Sequence, residues 1–420
     1  MIRRSILKNG TVLITESVRN FESLAVGVWV RGGSRHETKK THGLAHFLEH
    51  MMFKGTKKRS ALDIARAVDL IGGDFNAMTT REYTCFHLTL PAKEVDFSLD
   101  LLSDILMNSQ FEGKELERER RVVLQEIAML DDTAEEYVHE ILFEKAFRTH
   151  PIALPILGTK GSVKSFRRTD LLQYFKKHYY SKNIVITLAG NVDHTYVVRK
   201  LNSLLGNFRG RKKKAPQTSL KIPKFYPGVH VKQKNHEQCH LALAIAALPI
   251  RHQDRIALFL LNSFLGGGLS SALFQKIREQ HGLAYNVYSS LAVFSDCGVL
   301  GIYVATGTKL VSLCLKLIRE EIDRLKEIPL SKEDLNIVKN SVKSAILLGS
   351  DAMENRMFAL AKSEIYFERY LSNAEVCKQI DQVTAQDILR LARKIFTEDW
   401  CIVALGKVER AQIRKFFLKK

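Results

Sequence analysis

The feature that most constrains this chain is that it repeats itself. The stretch TDLLQYFKKHYYSKNIVITLAGNVD (169–193) and the stretch AQDILRLARKIFTEDWCIVALGKVE (385–409) carry the same order of features. Each begins with a helix-periodic segment and continues through an apolar run and a glycine into another short helix. The period is too long for a solenoid, so the chain is expected to hold two homologous halves of about 200 residues each. Within each half, β-rich runs sit among long helices. The prediction is an α+β fold of two duplicated α/β domains, each a mainly antiparallel sheet with helices packed on one face. A chain of 420 residues, 45% hydrophobic, can fill both cores. The expected boundaries are 1–208 for the first domain, 209–227 for a basic, proline-containing linker and 228–420 for the second domain.

Local signals fill in the frame. Asn9-Gly10 separates two β-like runs and predicts an opening hairpin. SLAVGVWVR (23–31) is β-rich, and ALDIARAVDLIGG reads as a helix stopped at Gly72-Gly73. DFNAMTT and YTCFHLTL look like two strands about a turn, and residues 92–109 and 113–138 like two long helices.

Charge and cysteine usage exclude several functions. Lys and Arg exceed Asp and Glu by enough to give a net charge of +19, but the excess is spread along the chain. Its one dense cluster is Arg209, Arg211, Lys212, Lys213 and Lys214, in the expected linker, with no nucleic-acid recognition motif beside it. No specific nucleic-acid partner is expected. The six cysteines are scattered without a CxxC pair, which argues against a disulfide framework and a cysteine metal site. No apolar run approaches the length of a membrane span, and no apolar segment follows the basic residues at the N-terminus. The expectation is a soluble protein of a bacterial cytoplasm.

The chemistry is concentrated in HGLAHFLEHMMFKGT (42–56). On a helix, His46 and His50 stand one turn apart on the same face, so both imidazoles can reach one ion. Glu49 lies beside them, where a carboxylate could take a proton from water activated by that ion. HxxEH is the inverse of the zincin motif HExxH. The alternative for these residues is histidines satisfied in a core, a reading that suits His42 better than a ligand role does. A third ligand is required, and ELERERRVVLQEI (115–127) offers Glu119 and Glu126, seven apart on one face. One could be a ligand and the other a hydrogen-bond acceptor that orients an imidazole. Spacing alone does not choose Glu126 over about twenty other carboxylates of the chain.

GGSRHETKKTHGLAHFLEHMMFKGT resembles the signature of the pitrilysin/mitochondrial processing peptidase family of zinc peptidases. In that family the third ligand is a glutamate 76 positions after the second histidine, which here is Glu126. A further glutamate seven residues earlier matches Glu119. GGDFNAMTT is similar to the family's GG-x-x-NA-x-T strand, which implies a substrate-binding role for Asn76 and Ala77. GGGLSSALFQKIREQHGLAYNVYSS (266–290) resembles the family's C-terminal motif, with Arg278 and Tyr285 at the family's separation. In relatives these two approach the zinc site from another domain and polarise the substrate carbonyl. Ala272 departs from the arginine that often follows the paired serines.

The resemblance implies one Zn²⁺ per chain, held by His46, His50 and Glu126, with Glu49 as general base and Arg278 and Tyr285 as further catalytic residues. Family members of this length resemble half of a clamshell, so a homodimer with shared active sites is implied. The implied substrates are short or unfolded peptides. A non-catalytic assembly subunit of the same family is the alternative.

Overall fold

A computed structural model describes residues 1–208 and 221–417, which fall into two compact units. The basic cluster from Arg209 to Lys214 lies outside the described residues. The first unit comprises Met1–Met129, Leu154–Lys221 and Gly349–Leu371, and the second comprises Leu130–Ala153, Ile222–Leu348 and Ser372–Lys420.

The first unit is built on six strands: β1 (Ile2–Ile6), β2 (Val12–Ser17), β3 (Ser23–Val30), β4 (Asp74–Thr79), β5 (Thr84–Pro91) and β6 (Ile184–Gly190). Their order is β1-β2-β6-β3-β5-β4, so β4 is an edge. All neighbours run antiparallel except β2 and β6. The β1–β2 hairpin turns at Asn9-Gly10, where Gly10 takes a φ of 91°. Its helices are α1 (Leu44–Met52), α2 (Ala61–Leu70), α3 (Val95–Asn108), α4 (Gly113–Asp132), α6 (Lys160–Ser165), α7 (Arg168–His178), α8 (His194–Leu204) and α12 (Met353–Phe367).

The second unit has β7 (Gly228–Lys232), β8 (Gln238–Ala247), β9 (Ala284–Val293), β10 (Gly298–Gly307) and β11 (Cys401–Leu405). They lie in the order β7-β11-β8-β10-β9, again with one parallel pair, β7 and β11. Its helices are α5 (Ala134–Phe147), α9 (Arg255–Gly266), α10 (Val311–Glu327), α11 (Lys332–Gly349), α13 (Asn373–Gln382), α14 (Ala385–Ile395) and α15 (Arg410–Phe417). Once β1 is set aside, the two sheets have the same strand order and the same parallel pair. The sequence repeat is α7-β6-α8 in one unit and α14-β11-α15 in the other. Its strand sits inside the sheet both times, which is why both copies are continuous apolar runs.

Each sheet is covered on both faces, one layer more than the sequence predicts. In β3, Leu24, Val26, Val28 and Val30 face the main helical core, while Ala25 and Trp29 face the other way. Met353, Met357, Leu360 and Ala361 of α12 cover that second face. The approach is close: a Cβ on Gly27 would lie 2.7 Å from Met357 Sδ. In the second unit, Val138, Ile141 and Leu142 of α5 pack on Ala242, Ala244, Cys401 and Val403 in the same manner. Each unit thus takes one helix from the other half of the sequence. Two-sided apolar strands need two covers, and each half contributes the second cover reciprocally.

The predicted helix 113–138 is in fact two, broken at Thr133, which is extended at φ −84° and ψ 96°. Asp131 and Asp132 would oppose the negative end of α4, whereas Glu135 and Glu136 suit the positive start of α5.

Candidate metal centre

Helix α1 buries Leu44, Ala45, Phe47, Leu48, Met51 and Met52. That leaves His46, Glu49 and His50 together on the remaining face. Its start is fixed by a carboxyl group from outside the helix: Glu37, itself buried, accepts the N–H groups of Gly43 at 2.8 Å and Ala45 at 2.5 Å. Gly43 has φ 91°, and a Cβ there would come within 2.7 Å of Gly158 Cα. Glycine is required on both counts.

Helix α4 buries Leu116, Val123 and Ile127, and with them Glu119. Glu126 lies two turns beyond Glu119 and is partly exposed. Its Oε2 is 3.7 Å from His46 Nε2 and 3.5 Å from His50 Nε2. One ligand atom from each of the three side chains lies within 4.8 Å of the others, the one such group among the described residues. His50 Nδ1 is 3.1 Å from Glu119 Oε2, and Glu119 Oε1 takes an ion pair from Lys54 Nζ at 2.8 Å. His42 is elsewhere: its ring meets Lys39 O and Thr159 Oγ1.

The donor set fits a zinc ion. Zinc takes imidazole nitrogen and carboxylate oxygen at roughly 2.0–2.2 Å in a tetrahedron, which asks for donors about 3.4 Å apart. Glu126 Oε2 is buried and has no hydrogen-bond partner, although two imidazole nitrogens face it. Such an orphaned acceptor is costly unless a cation completes it. Burial, with the neighbouring His50, pulls His46 down to about 3, so its ring is neutral and able to ligate at pH 7. For His50, burial alone would lower the pKa, but the carboxylates of Glu119, Glu126 and Glu49 outweigh it and raise the value. Burial raises Glu119 as well, and its bonds with His50 and Lys54 more than reverse that, leaving it lowered. Glu49 is raised, by burial first and then by Glu126, against the pull of the Thr79 hydroxyl and His50.

The other predicted residues lie elsewhere in the fold. Asn76 and Ala77 sit on β4, and the Asn76 carboxamide accepts the N–H of Ala77 at 2.8 Å. Arg278 and Tyr285 belong to the second unit. The Arg278 guanidinium lies 4.7 Å from the Phe274 ring centre and 4.8 Å from that of Tyr285. Tyr285 is nonetheless 79% exposed. Three residues beyond the sequence reading touch this chemistry: Thr79 on Glu49, Lys54 on Glu119, and Glu37 at the start of α1.

Two family models match the chain in succession. "Insulinase (Peptidase family M16)" covers residues 12–160, and "Peptidase M16 inactive domain" covers 165–342. A Bacillus subtilis protein described as "Uncharacterized zinc protease YmxG" is 34% identical over 97% of this chain and 98% of its own length. The chain belongs to peptidase family M16. A Mycobacterium leprae zinc protease is 35% identical over 96% of this chain and 91% of its own. Among solved structures, a protease from Helicobacter pylori superposes with a TM-score of 0.92 at 22% identity, covering 97% of this chain and 99% of that one. At that identity it speaks for the fold. In the second unit the helix equivalent to α1 lacks its candidate donors. Helix α9 occupies the place between β8 and β9 that α1 holds between β3 and β4, and its sequence RIALFLLNSFLG contains neither histidine nor acid.

The anchor of α1 gives a test in pH. Burial pushes Glu37 up to about 8, although backbone N–H bonds pull the other way. A folded pKa above the unfolded one means that the folded state holds a proton the unfolded chain releases. Stability from this group is therefore greatest below about 4.5 and is lost as pH rises toward 8. Thermal unfolding measured from pH 5 to 8 is expected to show a steeper fall in Tm for wild type than for Glu37→Gln, which cannot titrate. Parallel slopes would mean that Glu37 is ionised throughout.

Proposed function

We propose that the protein is a zinc-dependent endopeptidase that hydrolyses short or unfolded peptides. The observation that carries this reading is the convergence of His46 Nε2, His50 Nε2 and the orphaned Glu126 Oε2, with the Glu49 carboxylate one helical step away. His46, His50 and Glu126 would hold one zinc ion, and Glu119 would fix the His50 ring from behind through Nδ1. Bound there, zinc supplies Lewis-acid polarisation and lowers the pKa of water. Glu49 accepts the proton of the attacking water and returns it to the leaving amine. The β4 edge, with Asn76 and Ala77, receives the peptide as an added strand, so that affinity comes from backbone hydrogen bonds and tolerates many sequences. For that, the Asn76 carboxamide must release the Ala77 N–H.

Arg278 and Tyr285 supply positive charge and a hydroxyl to the substrate carbonyl as it becomes an oxyanion. Their stacked but exposed arrangement suits a pair that acts on something outside its own unit. The functional assembly is a homodimer, with each active site completed by the partner's Arg278 and Tyr285, in a bacterial cytoplasm. No described helix is long and apolar enough to cross a membrane.

Metal removal tests the reading. Protein dialysed against a chelator is expected to lose zinc and cleavage of a quenched peptide together. Both should return on addition of about one equivalent of zinc per chain. Dimers that purify without zinc and never cleave would instead indicate an assembly subunit.

A further inference from the structure

Glu49 has one hydrogen-bond partner among the described residues. Thr79, the last residue of β4, donates its hydroxyl proton to Glu49 Oε2 at 2.5 Å. The other hydrogen-bond contact of that hydroxyl among the described residues is Thr84 Oγ1, at 3.4 Å. Thr84 spends its own proton on the Gly32 carbonyl at 3.2 Å. A carboxylate at the shorter distance outcompetes a hydroxyl oxygen for the Thr79 proton.

The backbone holds Thr79 where it is. It pairs with Thr84 at the closed end of the β4–β5 hairpin. The intervening turn is tied by the Thr80 N–H to Tyr83 O at 2.8 Å and by the Tyr83 N–H to the Thr80 hydroxyl at 3.0 Å. A β-branched side chain on a strand has few χ1 choices, so the hydroxyl is held by the sheet and not by the helix that carries Glu49.

We infer that Thr79 is the positioning residue of the general base, gripping Glu49 Oε2 so that Oε1 is the oxygen presented for proton transfer. This rests on the peptidase reading above. Without the grip, Glu49 is free to rotate about its own side-chain torsions, and the productive orientation becomes one of several. Because Thr79 acts on orientation and not on substrate, its loss should appear in kcat.

Thr79→Val and Thr79→Ser, measured beside wild type and Glu49→Gln, test the inference. Valine keeps the shape and the strand preference and removes only the hydroxyl, whereas serine keeps the hydroxyl. The expected result is a fall in kcat of about 10–100-fold for valine, with KM and zinc content unchanged. Serine should stay within about three-fold of wild type. Crystal structures should show the Glu49 carboxylate turned in the valine variant and in place in the serine variant. Thr79 is not the positioning residue if valine leaves kcat within about three-fold of wild type, or leaves Glu49 unmoved. The same holds if serine fails to rescue, or if valine loses zinc or folded protein. An active wild type and a dead Glu49→Gln beside an unimpaired valine variant would remove this inference alone. An inactive wild type would remove the peptidase reading and Thr79's role with it.

Discussion

Glu49→Gln is expected to bind zinc as wild type does and to hydrolyse peptide about 10²–10⁴-fold more slowly. The amide is nearly the same size and can still accept the Thr79 hydroxyl through its oxygen. It cannot take a proton from water at neutral pH. The candidate ligand set is untouched, because Glu49 Oε2 is engaged by Thr79 and the three proposed donors belong to His46, His50 and Glu126. Zinc content by elemental analysis and turnover of a quenched peptide of about ten to twenty residues separate the two properties. Equal zinc with lost turnover assigns the proton transfer to Glu49. Retained turnover would require another base, and none of comparable position exists among the described residues: Glu119 is committed to His50 and Lys54, and Glu126 faces both imidazoles.

Much of this arrangement was legible in the chain. The repeat at 169–193 and 385–409 announced two homologous halves because each copy carries a complete helix, strand and helix, and buried strands leave strong apolar runs. HxxEH announced its own helix face because the remaining positions of α1 are apolar. The third member of the candidate group, Glu126, was legible only through family resemblance. Glu126 is far from His50 in sequence, and no periodicity within α4 distinguishes it from Glu119. The two glutamates differ in depth and partners: Glu119 is buried beside Val123 and paired with His50 and Lys54, while Glu126, two turns further along the same face, is partly exposed and its Oε2 has no hydrogen-bond partner.

What sequence could not supply were contacts made by hydroxyls and carboxylates brought in from outside the motif. Thr79 ends the strand that the family resemblance singles out, but its bond to Glu49 appears only when β4 is laid against α1. Nothing in the charged stretch around Glu37 marks it out, yet it is buried under the start of α1. The exchange of α5 and α12 was hidden for a related reason. Neither has a sharply amphipathic sequence, so the pattern does not mark out an apolar face or show which sheet that face will meet.

Equal mixing of Glu49→Gln with Arg278→Ala is expected to restore activity that neither protein has alone. If each site combines His46, Glu49, His50 and Glu126 of one chain with Arg278 and Tyr285 of the other, a mixed dimer contains one intact site and one doubly impaired site. Random reassortment makes half the dimers mixed, so the recovered activity should approach about a quarter of the wild-type value per chain. Against either parent, that is a rise of about two orders of magnitude, because losing an oxyanion donor alone costs about 10²–10³ in kcat. The recovery should grow on the timescale of subunit exchange and vanish if the dimers are cross-linked before mixing. Sites completed within one chain predict the opposite, since every chain would then carry its own defect and mixing would only average two inactive proteins. The duplicated fold makes the shared arrangement economical. One unit carries the candidate metal donors on α1 and α4, whereas α9 of its counterpart has neither histidine nor acid and that unit exposes Tyr285 beside Arg278, so on the proposed reading the chemistry is divided between the two.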